Sequence, residues 1–293
     1  MAEQTRTEGA RYLLKELYYS RTLRTVGYAP IDAFERLTGR RDALTPPRRL
    51  QYVGARSDFE SAGAFWRHQL VDVHGLPADG AVLDIGCGIG RNAVALIPHL
   101  EREGSYEGFD IVPQFIRWCS RQITPRHPNF RFQLADLRNR HYNRRGGTPA
   151  SRYEFPYGDE TFDVAFASSV FTHMEPDGIR RYLAESKRVL RPGGKLIATF
   201  FLLDPEVREL VAAGRSAFSL DHEFVDAEGT PFLGASEKVP EYCIGVAEDD
   251  VTRMVGEVGL ELAEPIVRGS WSGRPPGEGG DYQDMLVLRR PGA

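Results

Sequence analysis

Asp84, Gly86, Gly88 and Gly90 stand at two-residue steps in AVLDIGCGIGRNAVALIPHL (residues 81–100), between an apolar run and a segment of helical period. Glycine at a strand-to-helix turn lets a ligand approach the main chain without meeting a Cβ. The helix that follows offers free N–H groups to something polar or negative. The dinucleotide fingerprint G-x-G-x-x-G is not met, because the residue three after Gly88 is Arg91. Asp84 argues the same way: a carboxylate beside the loop repels a pyrophosphate and suits a cation such as an amino acid's ammonium group. Asp110 closes the next apolar run about twenty residues on, where an acid bridges both hydroxyls of a ribose. Asp136 closes a third and can accept a hydrogen bond from an exocyclic amine. Together these groups fit a nucleoside joined to an amino-acid cation. The plainer alternatives are a tight turn without a ligand, an Asp110 that caps the segment before Pro113, and an Asp136 that starts a turn. Cys87 reads equally as a small packing residue.

These residues need a scaffold that brings the ends of several strands to one edge. Short apolar runs alternate with helical patterns from Ala81 onward, the signature of a parallel sheet covered on both faces. AVLDI, YEGFDIV, FRFQLAD, TFDVAFASSVF and KLIATFFLL are the strands. PQFIRWCSRQI opens on Pro113, a position where a helix tolerates proline. PDGIRRYLAESKRVL puts Ile179, Tyr182, Leu183, Ser186 and Leu190 on one face, and Pro192, Gly193 and Gly194 stop it. Residues 204–245 read as an irregular lid over the sheet. A helix near EDDVTRMVGEVG and two hairpin-joined strands, LELAEPIVRGSW and YQDMLVLRR, end the sheet with an antiparallel edge. Residues 1–75 read as a helical, aromatic extension covering the ligand edge. In it Phe59, Ala62, Trp66, Leu70 and Val73 keep helical spacing, and Ser57 with Glu60 makes a capping box. The division is thus an extension over 1–75 and a ligand-binding domain over 76–293.

From Phe59 to Leu288 the sequence resembles the class I S-adenosylmethionine-dependent methyltransferases. The resemblance rests on VLDIGCGIGR, YEGFDIV, LADL, FPYGDETFDVAFASSVFTHM and RVLRPGGKLIATF, in that order and spacing. It implies an α/β, Rossmann-like fold: a seven-stranded, mostly parallel sheet with an antiparallel last strand and helices on both faces. It implies S-adenosylmethionine as cofactor and S-adenosylhomocysteine as product. On that resemblance the loop Gly86, Cys87, Gly88 and Gly90, with Asp84, borders the methionine part. Asp110 holds the ribose, Ile111 packs on the adenine, Asp136 and Leu137 read the adenine edge, and Ser168 lines the cofactor through its backbone.

Methyl transfer is an in-line displacement at an activated sulfonium, so alignment and exclusion of water dominate. A hydroxyl or amine acceptor must also lose a proton. His173 in SSVFTHME stands where acceptor-facing residues are expected and titrates near neutrality; a structural, helix-capping histidine is the competing reading. His222 with Glu223, Trp271, and the tyrosines Tyr12, Tyr18, Tyr19 and Tyr28 read as packing or surface groups as readily as acceptor contacts. Arg138, Arg140, Arg144 and Arg145 form a basic run after the third strand, which reads as a solvated loop or a dock for an acidic acceptor.

The 293 residues carry 41% hydrophobic and 27% charged residues, with a net charge of −4 and pI near 6.0. That balance gives no general pull toward nucleic acid or an acidic membrane. The first residues lack a signal-peptide core, no apolar run approaches spanning length, and three dispersed cysteines show no metal-ligand spacing. The expectation is a cytoplasmic enzyme without a metal, acting on a small-molecule acceptor and not on nucleic acid or at a membrane. Its oligomeric state is open. O-methylation of a sugar or secondary metabolite leads. The alternatives are an RNA or protein methyltransferase, a protein that uses or senses the cofactor without methylation, and a nicotinamide oxidoreductase.

Overall fold

In the computed structural model, residues 21–52 and 59–292 are described. Ser57 of the capping box and Tyr12, Tyr18 and Tyr19 lie outside these residues. β1 (Ala81–Ile85) is buried at all five positions, as a central strand covered on both faces must be. β2 (Ser105–Asp110) and β3 (Phe130–Leu134) follow on one side of it, β4 (Phe162–Ala167) and β5 (Leu190–Phe200) on the other. β6 (Glu261–Leu262) and β7 (Asp284–Arg289) complete seven strands in the order β6-β7-β5-β4-β1-β2-β3. All neighbours from β3 to β5 pair in parallel, and β7 runs antiparallel to both β5 and β6. The expected sheet with its reversed last strand is therefore present.

Each face of the sheet has its own core. Val82, Tyr106, Phe130 and Phe166 face α2 (Phe59–Arg67), α3 (Arg91–Leu96) and α4 (Pro113–Gln122), with Trp66, Leu96 and Ile116 between them. Leu83, Ile85, Phe109 and Leu196 face α5 (Pro176–Val189) and α7 (Glu248–Glu257). The predicted α5 face holds: Ile179, Tyr182, Leu183 and Ser186 are all buried. No separate turn follows that helix. β5 begins at Leu190, and Arg191 to Gly194 loop out between the pairs Phe162–Leu190 and Val164–Lys195, with Gly193 at φ +81°.

The N-terminal part contains α1 (Arg21–Leu37) and then α2, which continues as a π-helical turn over His68–Val73. A π turn adds a residue and rotates the face. Gln69 is consequently buried and Val73 is 51% exposed, whereas simple helical spacing predicts Val73 inside. Residues 204–245 also differ from the expected irregular lid. α6 (Pro205–Ala212) is followed by strands His222–Val225, Pro231–Gly234 and Ile244–Ala247, which form a second sheet with Leu202–Leu203. Phe224 stacks on Phe232 at 5.3 Å, and Asp226 closes the turn between their strands by accepting the N–H groups of Glu228 and Thr230. No helix among the described residues is long and apolar enough to cross a membrane.

Candidate functional site

The carboxyl ends of β1, β2, β3 and β4 meet at one edge, the place where open α/β sheets bind ligands. The turn from β1 to α3 hangs on the end of β2. Gly86 and Cys87 donate their N–H groups to the Phe109 carbonyl at 2.9 and 3.0 Å, and Gly88 donates to Asp110 Oδ2 at 2.9 Å. Gly86, Gly88 and Gly90 all take positive φ, at +76°, +52° and +76°. Their surroundings differ. A Cβ on Gly86 would stand 2.5 Å from Val170 Cγ2, and one on Gly90 would stand 2.7 Å from Ile123 Cδ1 and 2.9 Å from Cys119 Sγ. A Cβ on Gly88 would meet none of the described residues within 4 Å. Two of the glycines therefore serve packing, and only Gly88 opens the main chain to an approaching ligand.

Asp84 shares the face of Val82 and is fully buried. Its Oδ2 accepts from the Tyr106 hydroxyl and, at 3.4 Å, from Asn92 Nδ2. Its Oδ1 is sealed from solvent and has no donor among the described residues. Desolvation pushes this carboxyl up to about 7 against those hydrogen bonds. Asp110 keeps partial access to solvent. Burial pushes it up to about 6, opposed by the N–H groups of Val112 (2.7 Å) and Gly88. Its two oxygens thus fix the turn while facing the edge.

Cys87 and Leu137, expected beside the cofactor, both turn their side chains inward. The Cys87 side chain is buried in the core, where a Cβ added to Gly108 would lie 2.8 Å from Cys87 Cβ. Its N–H donates to the Phe109 carbonyl. Leu137 is buried with Phe109 and Ala135, its N–H donates to the Ala135 carbonyl, and its carbonyl accepts from Asn143 Nδ2. Asp136 is exposed and accepts from the Gly147 N–H at 3.1 Å. Ile111 packs, half-buried, between two apolar groups at the edge. Ser168 follows β4, half-buried. Beyond it Ser169 takes φ +59°, its N–H donates to Thr199 Oγ1 at 2.8 Å, and its hydroxyl donates to Gln283 Oε1 at 3.0 Å. That link was not read from the sequence, because it joins β4, β5 and the segment before β7.

His173 ends a 3₁₀ turn, Phe171–His173, beyond β4. Its Nδ1 lies 3.0 Å from the Glu241 carbonyl, which fixes the neutral tautomer with its proton on Nδ1. Its own carbonyl accepts from Asn139 Nδ2 at 3.1 Å. Burial lowers its pKa, so the ring is uncharged at neutral pH. His141, Tyr142 and Tyr242 gather around it, and the sequence reading missed all three. The loop LRNRHYNRRGG gave a signal only through its arginines, of which Arg140 pairs with Glu241 at 3.6 Å and Arg138, Arg144 and Arg145 are exposed. Trp271 is structural: it is fully buried and donates Nε1–H to Asp284 Oδ2 at 2.7 Å. His222 and Glu223 lie on a strand of the second sheet, half-buried and exposed respectively.

Residues 82–194 match the methyltransferase domain family. A phthiotriol/phenolphthiotriol dimycocerosates methyltransferase of Mycobacterium ulcerans is 33% identical over 154 residues, 50% of this chain and 48% of that protein. A demethylmenaquinone methyltransferase of Lactiplantibacillus plantarum is 30% identical over 132 residues, 45% of this chain and 49% of that one. The chain spans about half the length of these curated relatives. A SAM-dependent methyltransferase from Aquifex aeolicus superposes with a TM-score of 0.50 at 16% identity, over 81% of this chain and 96% of that one, a likeness of fold.

Proposed function

We propose that the chain, through its methyltransferase domain at residues 82–194, is a class I S-adenosylmethionine-dependent methyltransferase that methylates a small-molecule acceptor. The observation that carries the reading is the β1–α3 turn. Gly88 leaves open space where a side chain would stand, Asp110 holds that turn to β2, and Asp84 Oδ1 is a buried acceptor awaiting a donor. These features fit the cofactor: Asp84 and the turn would face its methionine end, Asp110 and Ile111 its nucleoside, and Asp136 and Ser168 its flanks. When bound, the cofactor supplies a methyl group already activated on a sulfonium.

The remaining work falls to the chain. We take the acceptor atom to be an oxygen, on a hydroxylated metabolite of the sugar or secondary-metabolite class. A hydroxyl must lose its proton as it attacks, and a neutral His173 with its Nδ1 proton bonded to Glu241 has Nε2 to receive one. Water is kept out by two covers. In the N-terminal extension Leu50, Tyr52 and Phe59 pack with Ile89, Val112 and Phe115. From the other side, the insertion reaches His173 through its turn Pro240–Tyr242.

The test is transfer of a labelled methyl group from S-adenosylmethionine into fractionated cell extract, with Asp110→Ala as control. Label in the small-molecule fraction, absent with the control, is the expected result. Label in RNA or protein overturns the acceptor class. Failure to bind S-adenosylhomocysteine overturns the whole reading.

A further inference from the structure

Three segments distant in sequence meet beside the β1–α3 turn: residues 139–142, residues 173–175 and residues 241–242. They bring four rings together. The His141 ring centre lies 4.3 Å from that of Tyr142, 5.2 Å from that of Tyr242 and 6.2 Å from that of His173. Tyr142 also packs with the apolar group that holds Ile89 and Ile111, so the rings adjoin the turn assigned to the cofactor.

Glu241 belongs to the same corner. Its Oε1 accepts from the Arg140 N–H at 3.3 Å. Its Oε2 is sealed from solvent and has no hydrogen-bond partner among the described residues. A buried carboxylate oxygen without a donor is costly, and the negative faces of aromatic rings attract cations. The balance of charge leans the same way. Burial pushes the half-buried Glu175 carboxyl up, and among the described residues Glu241, Asp177 and Asp226 add to that while Arg140 opposes it. His173 is neutral and offers no repulsion. A hydroxyl alone would satisfy Oε2 but leave the excess negative charge, and an anionic group would be repelled.

We infer that this corner receives a protonated amine carried by the acceptor, its N–H donated to Glu241 Oε2 and its charge set among the rings of His141, Tyr142 and Tyr242. The inference rests on reading this edge as the acceptor side of a methyl-transfer site. It narrows the acceptor to a hydroxylated small molecule with a basic nitrogen.

Benzylamine and benzyl alcohol share a ring and differ in charge, so calorimetric titration of the full chain with each at pH 7 reads the corner directly. The expected result is at least fivefold tighter binding of benzylamine, with the preference abolished in Glu241→Gln and narrowed in Glu175→Gln. Equal binding of the two probes by the unaltered protein overturns the inference, and so does a preference that survives both substitutions. If Glu241→Gln does not fold, the unaltered protein and Glu175→Gln decide. Neither probe needs the cofactor. A protein that prefers benzylamine yet labels no acceptor keeps this inference and loses the methyl-transfer reading. One that labels an acceptor without the preference does the reverse.

Discussion

Asp84 is the penultimate residue of β1 and Asp110 the last of the adjacent β2, and burial sets how each behaves. Asp84 is pushed up to about 7 from a usual value near 3.8, so the folded chain holds a proton that the unfolded chain releases between roughly pH 4 and 7. Asp110, at about 6, acts with the same sign. Stability contributed this way is complete at acid pH and is lost as pH rises through the folded value. Asp84→Asn should therefore flatten the fall in urea midpoint between pH 5 and pH 8, and an unchanged slope would mean that Asp84 is ionised in the fold. His173 separates two roles that one substitution would confuse. His173→Ala should lower turnover about a hundredfold or more, the low end of about 10²–10⁴ for a general base, while affinity for S-adenosylhomocysteine stays within twofold. His173→Asn keeps an N–H donor for the Glu241 carbonyl and removes the base. Equal loss in both variants marks a base, and recovery with asparagine makes His173 a positioning residue for the insertion.

At the scale of the element, three glycines that look alike in sequence have different duties. Alanine at positive φ costs about 1–2 kcal/mol, and at Gly86 and Gly90 its Cβ also collides with Val170, or with Ile123 and Cys119. Gly86→Ala and Gly90→Ala should lose stability in thermal unfolding well beyond Gly88→Ala. Gly88→Ala should instead lose S-adenosylhomocysteine affinity, because its methyl group enters the open space. Calorimetric binding beside the melting curves would detect the opposite pattern. The glycine spacing was legible and its division of labour was not, since Val170 and Ile123 reach the turn from other elements. The same limit governed the helices and short strands. α5 was read correctly because its apolar period is unbroken over fourteen residues. α2 was misread beyond Arg67, where the π turn shifts the face without any mark in composition. Four-residue strands such as His222–Val225 are too short for a period of two to stand out, and pairing alone reveals them.

Over the whole molecule, the junction between the sheet and the insertion depends on one buried carboxylate. Asp284, at the start of β7, accepts from Gly269 N–H at 2.9 Å, Leu202 N–H at 3.0 Å and Trp271 Nε1–H at 2.7 Å. Burial raises its pKa against these three donors. Asp284→Ala would leave three donors unpaired inside the protein, and at about 1–3 kcal/mol for each unsatisfied group a loss of roughly 3 kcal/mol or more is expected in urea unfolding. A loss below about 1 kcal/mol would show that water replaces the carboxylate. Trp271 was left ambiguous by the sequence, and its role is settled by Asp284 and Phe201, which lie 13 and 70 residues away.

The sequence by itself determined the strand–helix alternation, the reversed edge of the sheet, the place of the glycine-bearing turn and the acids near the carboxyl ends of β1 and β2. Each of these is written in neighbouring residues, through apolar period, turn chemistry and regular spacing. Tertiary structure alone decided that Cys87 and Leu137 turn inward, that Asp84 is sealed, and that His141, Tyr142, His173 and Tyr242 form one group with Glu241. Those facts depend on which distant segments share a face once the chain has closed. Burial and charge act through space, and local sequence carries no record of them.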